Sequence, residues 1–457
     1  MTFLTTAFLA ESMRAHGYQV IEGDTKPITS GVPDSRLATP GTLFAAFRGE
    51  KLDGNDFVGE ALNRGASAVI CERAPQGNWP NSTLIIADNT RTALAKIARD
   101  WQRNCGAQVI GITGTVGKTT AKELSAAAIG EAFLTHRSPG NFNSREGLPL
   151  ALLSLQLDHE ISVLEMAMDS QGEIGELCSI AEPSVGAILN IGTTHLEKLG
   201  SVEAIAREKL SLARSLPPHG VAVLNVDDER IIPVINELEC RVIGFGKSEA
   251  ASLRRSKVRD LGLKGSEFRV TYENREAEIR LQMPGAHLAQ TALAAIGVQL
   301  ALGLQLSAAA EAINSAKINE RLQVRHATSG ANILDDTYNA SPDSVTGALH
   351  LLRGLGGQRL ALLGEMAELG DRSEQEHRRI GSIASECCDV LVAAGESCRL
   401  LVEEARANGL SESHWFSTKE LAAEFATSRL GEGDHILVKA SRGQEFELLI
   451  PMLEGQE

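Results

Sequence analysis

The stretch "VIGITGTVGKTTAKE", Val109 to Glu123, passes from an apolar, β-branched segment through a glycine-rich turn into a helix-like segment. Gly114 and Gly117 allow the backbone to turn sharply and to direct its N–H groups at phosphate oxygens, and the following helix offers its positive end to the same anion. Lys118 would reach the terminal phosphates, and the Thr119 hydroxyl would bind Mg²⁺. The stretch therefore predicts a phosphate-binding loop between a strand and a helix.

The match is to a shortened phosphate-loop pattern, because Ile112 stands where the strict pattern has its first glycine. An ordinary glycine-rich turn is the alternative. The surrounding sequence favours the loop, since short apolar runs then alternate with helix-like segments: "ISVLEMAM", "VGAILNI" and "GVAVLNV". This alternation is typical of βαβ units and a mostly parallel sheet.

Composition limits the classes of function. A chain of 457 residues with 43% hydrophobic and 23% charged residues has enough apolar side chains for about three globular domains. A formal net charge of -15 argues against binding to nucleic acids or anionic membranes. Any anionic substrate must therefore be bound by a local basic cluster.

The seven cysteines include no CxxC pair, so we interpret them as free thiols in a reducing cytoplasm. No apolar run approaches the roughly 20 residues needed to span a bilayer, so no membrane insertion is expected. The opening "MTFLTTAFLAESMRAHG" lacks a basic n-region. It predicts a first amphipathic helix rather than a signal peptide.

The pattern predicts three α/β domains: residues 1–85, a small and turn-rich module; residues 86–314, a mostly parallel sheet with the phosphate loop; and residues 315–457, a Rossmann-like open sheet. The segment "SEFRVTYENREAEIRLQM" predicts a hairpin near the end of the central domain. The third block repeats the alternation with "ANILDD", "RLALLGEM", "DVLVAAG" and "HILVKAS".

Two polar residues follow the next strands of the central domain. Glu165 lies in "VLEMAM" and His195 follows "ILNIGTT", at the carboxyl ends where an open α/β sheet forms its crevice. Each alone has an ordinary interpretation, as a strand-end carboxylate and as a residue at a helix N-terminus. Together, after a phosphate loop, they suggest a second Mg²⁺ site.

Further motifs run the length of the chain in a recognisable order: "TGTVGKTT", "EMAMDSQGEIG", "LNIGTTHLEKLGS", "REKLSLA", "LNVDDE", "PGAHLAQTALAA", "ER" at Glu320 and Arg321, "DDTYNASPDS" and "LGEMAELG". This series resembles the Mur ligases, the ATP-dependent amide-bond-forming enzymes of peptidoglycan synthesis. The last two motifs discriminate within the family, because the loop alone would fit every member.

The resemblance implies a cytoplasmic, monomeric ligase that adds D-Ala-D-Ala to UDP-N-acetylmuramoyl-tripeptide (UDP-MurNAc-tripeptide). Its cofactors would be ATP and two Mg²⁺ ions. The N-terminal domain would bind the UDP-muramoyl substrate and the central domain ATP. The C-terminal domain would close on ATP and bind the incoming dipeptide.

The resemblance also implies roles for individual residues. ATP would be bound by Thr113, Gly114, Thr115, Val116, Gly117, Lys118, Thr119, Thr120, His287, Arg321 and Asp336. The metal ligands would be Thr119, Glu165, His195 and Lys209, and these last three with Lys118 would be catalytic. The substrates would be bound by Ser35, Arg36, Asp53, Asn55, Asp56, Phe57, Asn141, Asn143, Ser144, Tyr338, Asn339, Lys439, Ser441 and Arg442.

Lys209 matches the lysine that the family carries as a carbamate. An ammonium is repelled by Mg²⁺, whereas a carbamate presents an oxygen anion that a hard cation favours. The helical pattern of "AREKLSLARSL" by itself favours a solvated lysine.

Four positions depart from the family pattern. His287-Leu288 and Thr291 stand where the family has His-Asn and a further Asn, which leaves the adenine contact open. Asn55 replaces a histidine in "DGNDF", and Ser144 replaces an asparagine in "GNFNS". These changes concern binding rather than chemistry.

Three alternatives remain. A folylpolyglutamate synthase shares the loop and the amide chemistry but does not explain "DSRLATPGTLFAAFRGEKLDGNDF". The Mur ligase that adds the third peptide residue is a near neighbour. A P-loop switch or motor would need a nucleotide-sensing loop with a partner surface, of which the sequence gives no sign.

Overall fold

A computed structural model describes residues 3–49, 51–192, 196–318 and 322–455 of the chain. Three mostly parallel sheets follow one another along the sequence, with helices packed against them. The predicted α/β architecture is therefore confirmed. Within the described ranges, no helix is both long and apolar enough to cross a membrane. The seven cysteines are free thiols, and six of them are buried.

The first sheet has five strands in the order β2-β7-β6-β5-β4, and only the β2–β7 pair is antiparallel. The strands of this region are β1 Leu4–Thr5, β2 Gln19–Ile21, β3 Pro27–Ile28, β4 Ser30–Val32, β5 Thr42–Ala45, β6 Ala68–Cys71 and β7 Thr83–Ile86, with β1 and β3 forming a separate pair. The helices are α1 Thr6–Ala15, α2 Val58–Asn63 and α3 Thr90–Cys105. Helix α1 confirms the predicted amphipathic helix, since Leu9 and Met13 on one face are fully buried.

The second sheet has nine strands in the order β16-β15-β14-β13-β12-β11-β8-β10-β9. They are β8 Gln108–Thr113, β9 Thr135–Arg137, β10 Ile161–Glu165, β11 Val185–Ile188, β12 Val221–Asn225, β13 Arg241–Gly246, β14 Leu253–Asp260, β15 Ser266–Tyr272 and β16 Arg275–Leu281. The predicted hairpin is confirmed as β15 and β16. Its two turn residues, Glu273 and Asn274, have positive φ angles of 47° and 61°, as a tight hairpin turn requires.

Helices cover both faces of the second sheet, which explains why its strands are apolar on both sides. They are α4 Lys118–Ile129, α5 Gly147–Leu152, α6 Glu173–Ala181, α7 Leu196–Leu199, α8 Val202–Arg214, α9 Ile232–Ile235, α10 Leu288–Ala301 and α11 Leu306–Ser315. One core packs α4, α10 and α11 against the sheet, and the other packs α6 and α8. Helices α4 and α8 therefore reach the loop after β8 from opposite faces.

The third sheet has six strands in the order β17-β18-β22-β19-β20-β21, antiparallel only between β17 and β18. They are β17 Gln323–His326, β18 Asn332–Asp335, β19 Arg359–Leu363, β20 Val390–Ala394, β21 Ser413–Phe416 and β22 His435–Lys439. The helices are α12 Pro342–Arg353, α13 Ser373–Cys387, α14 Cys398–Ala407, α15 Lys419–Ser428 and α16 Ile450–Glu454.

Helices α12 to α14 cover one face of the third sheet, and α15 and α16 cover the other. The chain leaves β19 toward the first face and β22 toward the second. These neighbouring strands therefore form a topological switch point, where open α/β sheets have their ligand crevice.

The regions that carry the second and third sheets touch in this structure. Leu263 packs against the core of the third sheet, and a Cβ at Gly262 would lie 3.3 Å from Leu355. A Cβ at Gly192, just after β11, would lie 3.3 Å from a carboxylate oxygen of Asp343 in the first turn of α12. The N-terminal end of α12 therefore faces the phosphate loop.

Candidate functional site

The predicted phosphate loop connects β8, which lies between β10 and β11, to α4. Gly117 caps α4 with a φ of +84°, a left-handed conformation that favours glycine. A Cβ at Gly114 would lie 2.9 Å from Leu189, so this position also needs a glycine. Thr119 and Thr120 are buried in the first turn of α4. The loop thus has the strand–turn–helix geometry that presents backbone N–H groups to an anion.

The Asn190 side chain, which follows β11, fixes one side of this loop. Its Oδ1 accepts hydrogen bonds from the backbone N–H groups of Thr115 and Val116, each at 3.0 Å, and its Nδ2 donates to the Val116 carbonyl at 3.0 Å. The sequence analysis missed this residue. Its position at the end of the strand beside the loop, in "AILNI", was the available signal.

Two lysines meet at the Gly114 carbonyl. Lys118 Nζ donates to it at 2.9 Å and Lys209 Nζ donates to it at 3.0 Å. The Lys209 residue is 2% exposed, so the interpretation as a solvated lysine is wrong. Burial, together with the neighbouring charge of Lys118, holds the pKa of Lys209 well below its ordinary value. This environment therefore favours a neutral amine at the base of the loop.

Thr119 and Glu165 lie together, as the sequence predicted for residues that share a metal. The Thr119 hydroxyl donates to Glu165 Oε2 at 2.7 Å, and both residues are buried. The other oxygen, Oε1, accepts a hydrogen bond from Asn143 Nδ2 at 2.7 Å. The Thr113 hydroxyl donates to the Met166 carbonyl at 2.8 Å, which joins the end of β8 to the residue that follows β10.

Two predicted residues, His195 and Arg321, lie outside the described residues, as does Glu320. Within the described ranges, no group of three or more His, Cys, Asp and Glu side chains has the arrangement of a metal site. Of the four predicted metal ligands, the structure therefore describes the oxygen pair of Thr119 and Glu165 and, at the Gly114 carbonyl, Lys209.

The segment after β9 carries the other predicted muramoyl contacts. Asn143 accepts a hydrogen bond from the Ala167 N–H through its carbonyl at 2.9 Å, so the segment is joined to the end of β10. Asn141 lies in the turn before it, where its carbonyl accepts the Asn143 N–H at 2.8 Å. Ser144 has a structural role, because its hydroxyl accepts the Gly147 N–H at the start of α5 at 3.2 Å.

The predicted residues of the third sheet form one group after β18 and β22. The Lys439 ammonium donates to Asp336 Oδ2 at 2.5 Å and to the Asn339 carbonyl at 2.7 Å, and Lys439 is 2% exposed. The Arg442 guanidinium lies 5.7 Å from the centre of the Tyr338 ring. Asp336, Tyr338 and Arg442 line a cavity of about 150 Å³.

A larger cavity, of about 410 Å³, lies at the switch point between β19 and β22. Its lining includes Ser441 from the predicted set and Glu365 and Gln444, which the sequence analysis missed. Glu365 accepts hydrogen bonds from the Ser397 N–H at 2.8 Å and from Gln444 at 2.9 Å. Burial raises the pKa of Glu365, but these hydrogen bonds outweigh that effect and leave the pKa below its ordinary value. The cavity therefore contains an ionised carboxylate.

His287 lies at the contact between the second and third sheets. A Cβ at Gly347 of α12 would be 3.3 Å from its imidazole ring, and burial lowers the pKa of His287. Thr291, on the next turn of α10, lies beside the loop, 3.1 Å from the position of a Cβ at Gly117. Thr291, one of the positions that depart from the family pattern, therefore adjoins the phosphate loop.

The predicted N-terminal residues flank α2. The Ser35 hydroxyl donates to Glu60 of α2 at 2.8 Å. Before α2, Asn55 binds Asp53 through its side chain at 2.8 Å, and Arg73 binds both Asp53 and Asp56 at 2.9 Å and 3.0 Å.

Two further predicted residues lie beside these. Arg36 pairs with Asp34 at 2.6 Å, and Phe57 packs partly buried against the core beneath α2. The sequence analysis missed the basic side chains Arg48 and Arg73, the former 3.7 Å from Asp53. With Asp53 and Asp56 they form a network of ion pairs beside the predicted substrate residues.

Comparisons with known proteins cover most of the chain. The family models for "Mur ligase family, catalytic domain", "Mur ligase middle domain" and "Mur ligase, glutamate ligase domain" match residues 31–102, 112–299 and 320–442. The UDP-N-acetylmuramoyl-tripeptide–D-alanyl-D-alanine ligase of Bacillus subtilis (strain 168) is 33% identical over 423 residues, which are 91% of each protein.

Solved structures agree with this similarity. MurF from Acinetobacter baumannii superposes with a TM-score of 0.88 at 27% identity and covers 100% of both chains. MurF ligase from Thermotoga maritima in complex with ADP gives a TM-score of 0.81 at 28% identity, over 93% of this chain and 97% of that one.

Proposed function

The chain belongs to the Mur ligase family, and we propose that it joins D-Ala-D-Ala to UDP-MurNAc-tripeptide with conversion of ATP to ADP and phosphate. The observation that carries this function is the phosphate loop whose Thr119 hydroxyl binds Glu165, with Asn143 on the other carboxylate oxygen. It is supported by the similarity to ligases of that name over 91% of the chain, and by the relative that binds ADP.

We further propose a division of labour among three domains: residues 1–85 bind the UDP-muramoyl substrate, residues 86–314 bind ATP, and residues 315–457 close on ATP and bind the dipeptide. The contact between α12 and Gly192 supports closure, because it brings the third sheet's region against the loop. Closure excludes water, which would hydrolyse an activated carboxyl group.

Mg²⁺ is the metal that suits the residues present. Thr119 and Glu165 offer a hydroxyl and a carboxylate, and hard cations prefer such oxygen ligands. These two residues would hold one ion, and His195 with a carbamylated Lys209 would hold a second. When bound, the ions supply positive charge that neutralises the phosphate oxygens.

Carbamylation of Lys209 is supported by its buried position beside Gly114. The lone pair of a neutral amine adds to the carbon of CO₂, and the nitrogen then loses a proton. The product is a carbamate whose oxygen anion suits a metal ligand. An ammonium at the same place would repel both the metal and Lys118.

The reaction then follows from the chemistry of the two substrates. A carboxylate oxygen of UDP-MurNAc-tripeptide forms a bond to the γ-phosphorus of ATP as the bond to ADP breaks, and Lys118 stabilises the charge on the transferring group. The free amine of D-Ala-D-Ala attacks the carbonyl carbon of this acyl phosphate. Phosphate leaves with its electron pair, and the amine nitrogen gives up a proton.

The switch-point cavity is the site we propose for the dipeptide. Its volume of about 410 Å³ exceeds what a dipeptide needs, and Glu365 offers a carboxylate to an ammonium group. Ser441 lines this cavity, Lys439 is the last residue of β22, and Arg442 lines the neighbouring cavity of about 150 Å³. Arg442, which is exposed, would pair with the dipeptide's carboxylate.

The choice of amine tests this assignment. UDP-MurNAc-tripeptide with D-Ala-D-Ala is expected to support rapid phosphate release, whereas the tripeptide with single amino acids is expected to support little. The reason is that the half-buried Glu365 carboxylate and the Arg442 guanidinium would together select the separation of charges in a dipeptide. The measurement is steady-state phosphate release across muramoyl-peptides of several lengths and a panel of amines.

Preference for a UDP-muramoyl-dipeptide and a free diamino acid would indicate that the chain is the Mur ligase that adds the third peptide residue. Release with a folate and glutamate would instead indicate a folylpolyglutamate synthase. Phosphate release without any amine would favour a nucleotide switch.

A further inference from the structure

Lys122 is a fully buried lysine to which neither the loop chemistry nor the metal site assigns a role. It lies one turn after Lys118 in α4 and has 0% exposure. Its ammonium donates to the Ser138 carbonyl at 2.7 Å and to the Gly140 carbonyl at 3.3 Å, and it pairs with Glu123 at 2.8 Å. A buried ammonium is tolerated where its N–H groups are satisfied in this way.

The two carbonyls belong to the segment that carries the proposed muramoyl contacts. Ser138 starts this segment, and its hydroxyl accepts the Glu165 N–H at 3.3 Å. Asn143 ends it and donates to the Glu165 carboxylate at 2.7 Å. Between these two anchors the backbone turns at Gly140, where φ is +48°. The Lys122 ammonium therefore stabilises the turn through its hydrogen bonds to the Ser138 and Gly140 carbonyls.

The same helix presents Thr119 to Glu165 and carries Lys118 at its start. Residues on α4 thus fix both the phosphate loop and the segment of residues 138–143. Any displacement of that segment would move Asn141 and Asn143 relative to the γ-phosphate of a bound ATP.

From this arrangement we propose that Lys122 is a positioning residue, which holds the segment of residues 138–143 so that the muramoyl carboxylate lies in line with the γ-phosphate. This inference rests on the proposed function and assigns that reaction an additional residue. Lys122 itself touches neither substrate, because its side chain is enclosed. Its effect is on alignment, to which phosphoryl transfer is sensitive.

The test compares Lys122→Met with wild type. Methionine fills the same volume but cannot bind the two carbonyls, so kcat should fall by about 100-fold, the scale expected for a misplacement of about 1 Å. The KM for UDP-MurNAc-tripeptide should rise, while the dissociation constant of a non-hydrolysable ATP analogue stays at the wild-type value. Faster hydrogen exchange at the amides of residues 140–143 is expected in the same variant.

Glu123→Gln is the matched control. It removes the charge that pairs with Lys122 and with Arg137 but leaves both carbonyl contacts of Lys122, so it should lower Tm without raising the KM for UDP-MurNAc-tripeptide. Ser138→Ala is the second test, in case Lys122→Met does not fold. It removes the bond from the Glu165 N–H on the same segment and should raise the same KM with no change in nucleotide affinity.

A folded Lys122→Met with wild-type kcat and KM, or one that weakens ATP and UDP-MurNAc-tripeptide equally, would overturn the positioning role. An unaltered KM in Ser138→Ala would also count against it. Turnover by the wild type in the same assay tests the proposed function separately. Its failure is therefore distinguishable from the failure of the Lys122 inference.

Discussion

Lys118→Ala is expected to fold normally and to lose nearly all ATP-dependent ligation. The residue is half-buried at the start of α4, where its ammonium binds the carbonyls of Gly114 and Thr115, so its removal leaves no apolar cavity. The same ammonium would stabilise the charge on the transferring phosphoryl group. Loss of one such preorganised group costs on the order of 10²–10³-fold in kcat. The measurement is phosphate release at saturating substrates, with Tm recorded alongside.

Lys247→Ala is a suitable control for this variant. Lys247 is an exposed lysine just after β13 on the same sheet, so its removal changes net charge equally without reaching the loop. It should retain wild-type turnover. Near wild-type turnover in Lys118→Ala itself would show that Lys118 does not stabilise the transferring phosphoryl group.

The strands and helices were largely predictable because buried parallel strands are short apolar runs with clear boundaries. "GVAVLNV", for example, gives β12 at Val221–Asn225, whose five residues are all buried. The order of strands was not predictable. The sheet places β8 between β10 and β11, and the hairpin of β15 and β16 extends the same sheet through β14. Periodicity along one strand contains no information about its neighbours.

The site was predictable where a residue's chemistry is unusual for its position. A carboxylate at the end of a buried strand singled out Glu165, and the structure places it on Thr119. Asn190 was missed because asparagine after a strand is also an ordinary turn residue. Lys122 was missed because a lysine in a helix is usually solvated.

The helical pattern around Lys209 did contain a signal that the sequence interpretation overlooked. Ile205 and Leu212 are buried on α8, and Lys209 lies four residues after the first and three before the second. Residues at these spacings share one face of a helix. The lysine therefore belongs to the buried stripe, which faces the phosphate loop.

Glu208 strengthens this placement of α8. Its carboxylate accepts hydrogen bonds from the N–H groups of Gly172 and Ile174, each at 2.7 Å, and so caps the start of α6. Two adjacent residues of α8 thus make buried hydrogen bonds to different parts of the domain. Glu208 binds the start of α6, and Lys209 binds the Gly114 carbonyl. A lysine held this firmly has little freedom to leave the site.

Lys209→Ala is accordingly expected to lose activity by at least about 100-fold, the upper end of what disturbing a metal's supporting residues costs. Alanine leaves a space beside Gly114 where the amine was, and a small carboxylate fits such a space and presents the oxygen anion that a carbamate would. Formate or acetate should therefore restore part of the activity in trans. Lys209→Gln fills the space without an anion, so it should be inactive and should respond little to either acid.

The modification can also be observed without turnover. Wild-type protein equilibrated with isotope-labelled CO₂ should show a carbamate carbon signal by NMR that Lys209→Gln lacks, and depletion of CO₂ should slow the wild type. A carbamate carries a negative charge, which an ordinary buried lysine does not, because the addition of CO₂ converts a neutral amine into an anion beside Lys118. Full activity of Lys209→Ala without added acid, or a labelled wild type with no such signal, would return Lys209 to a structural role as the amine that supports the Gly114 carbonyl.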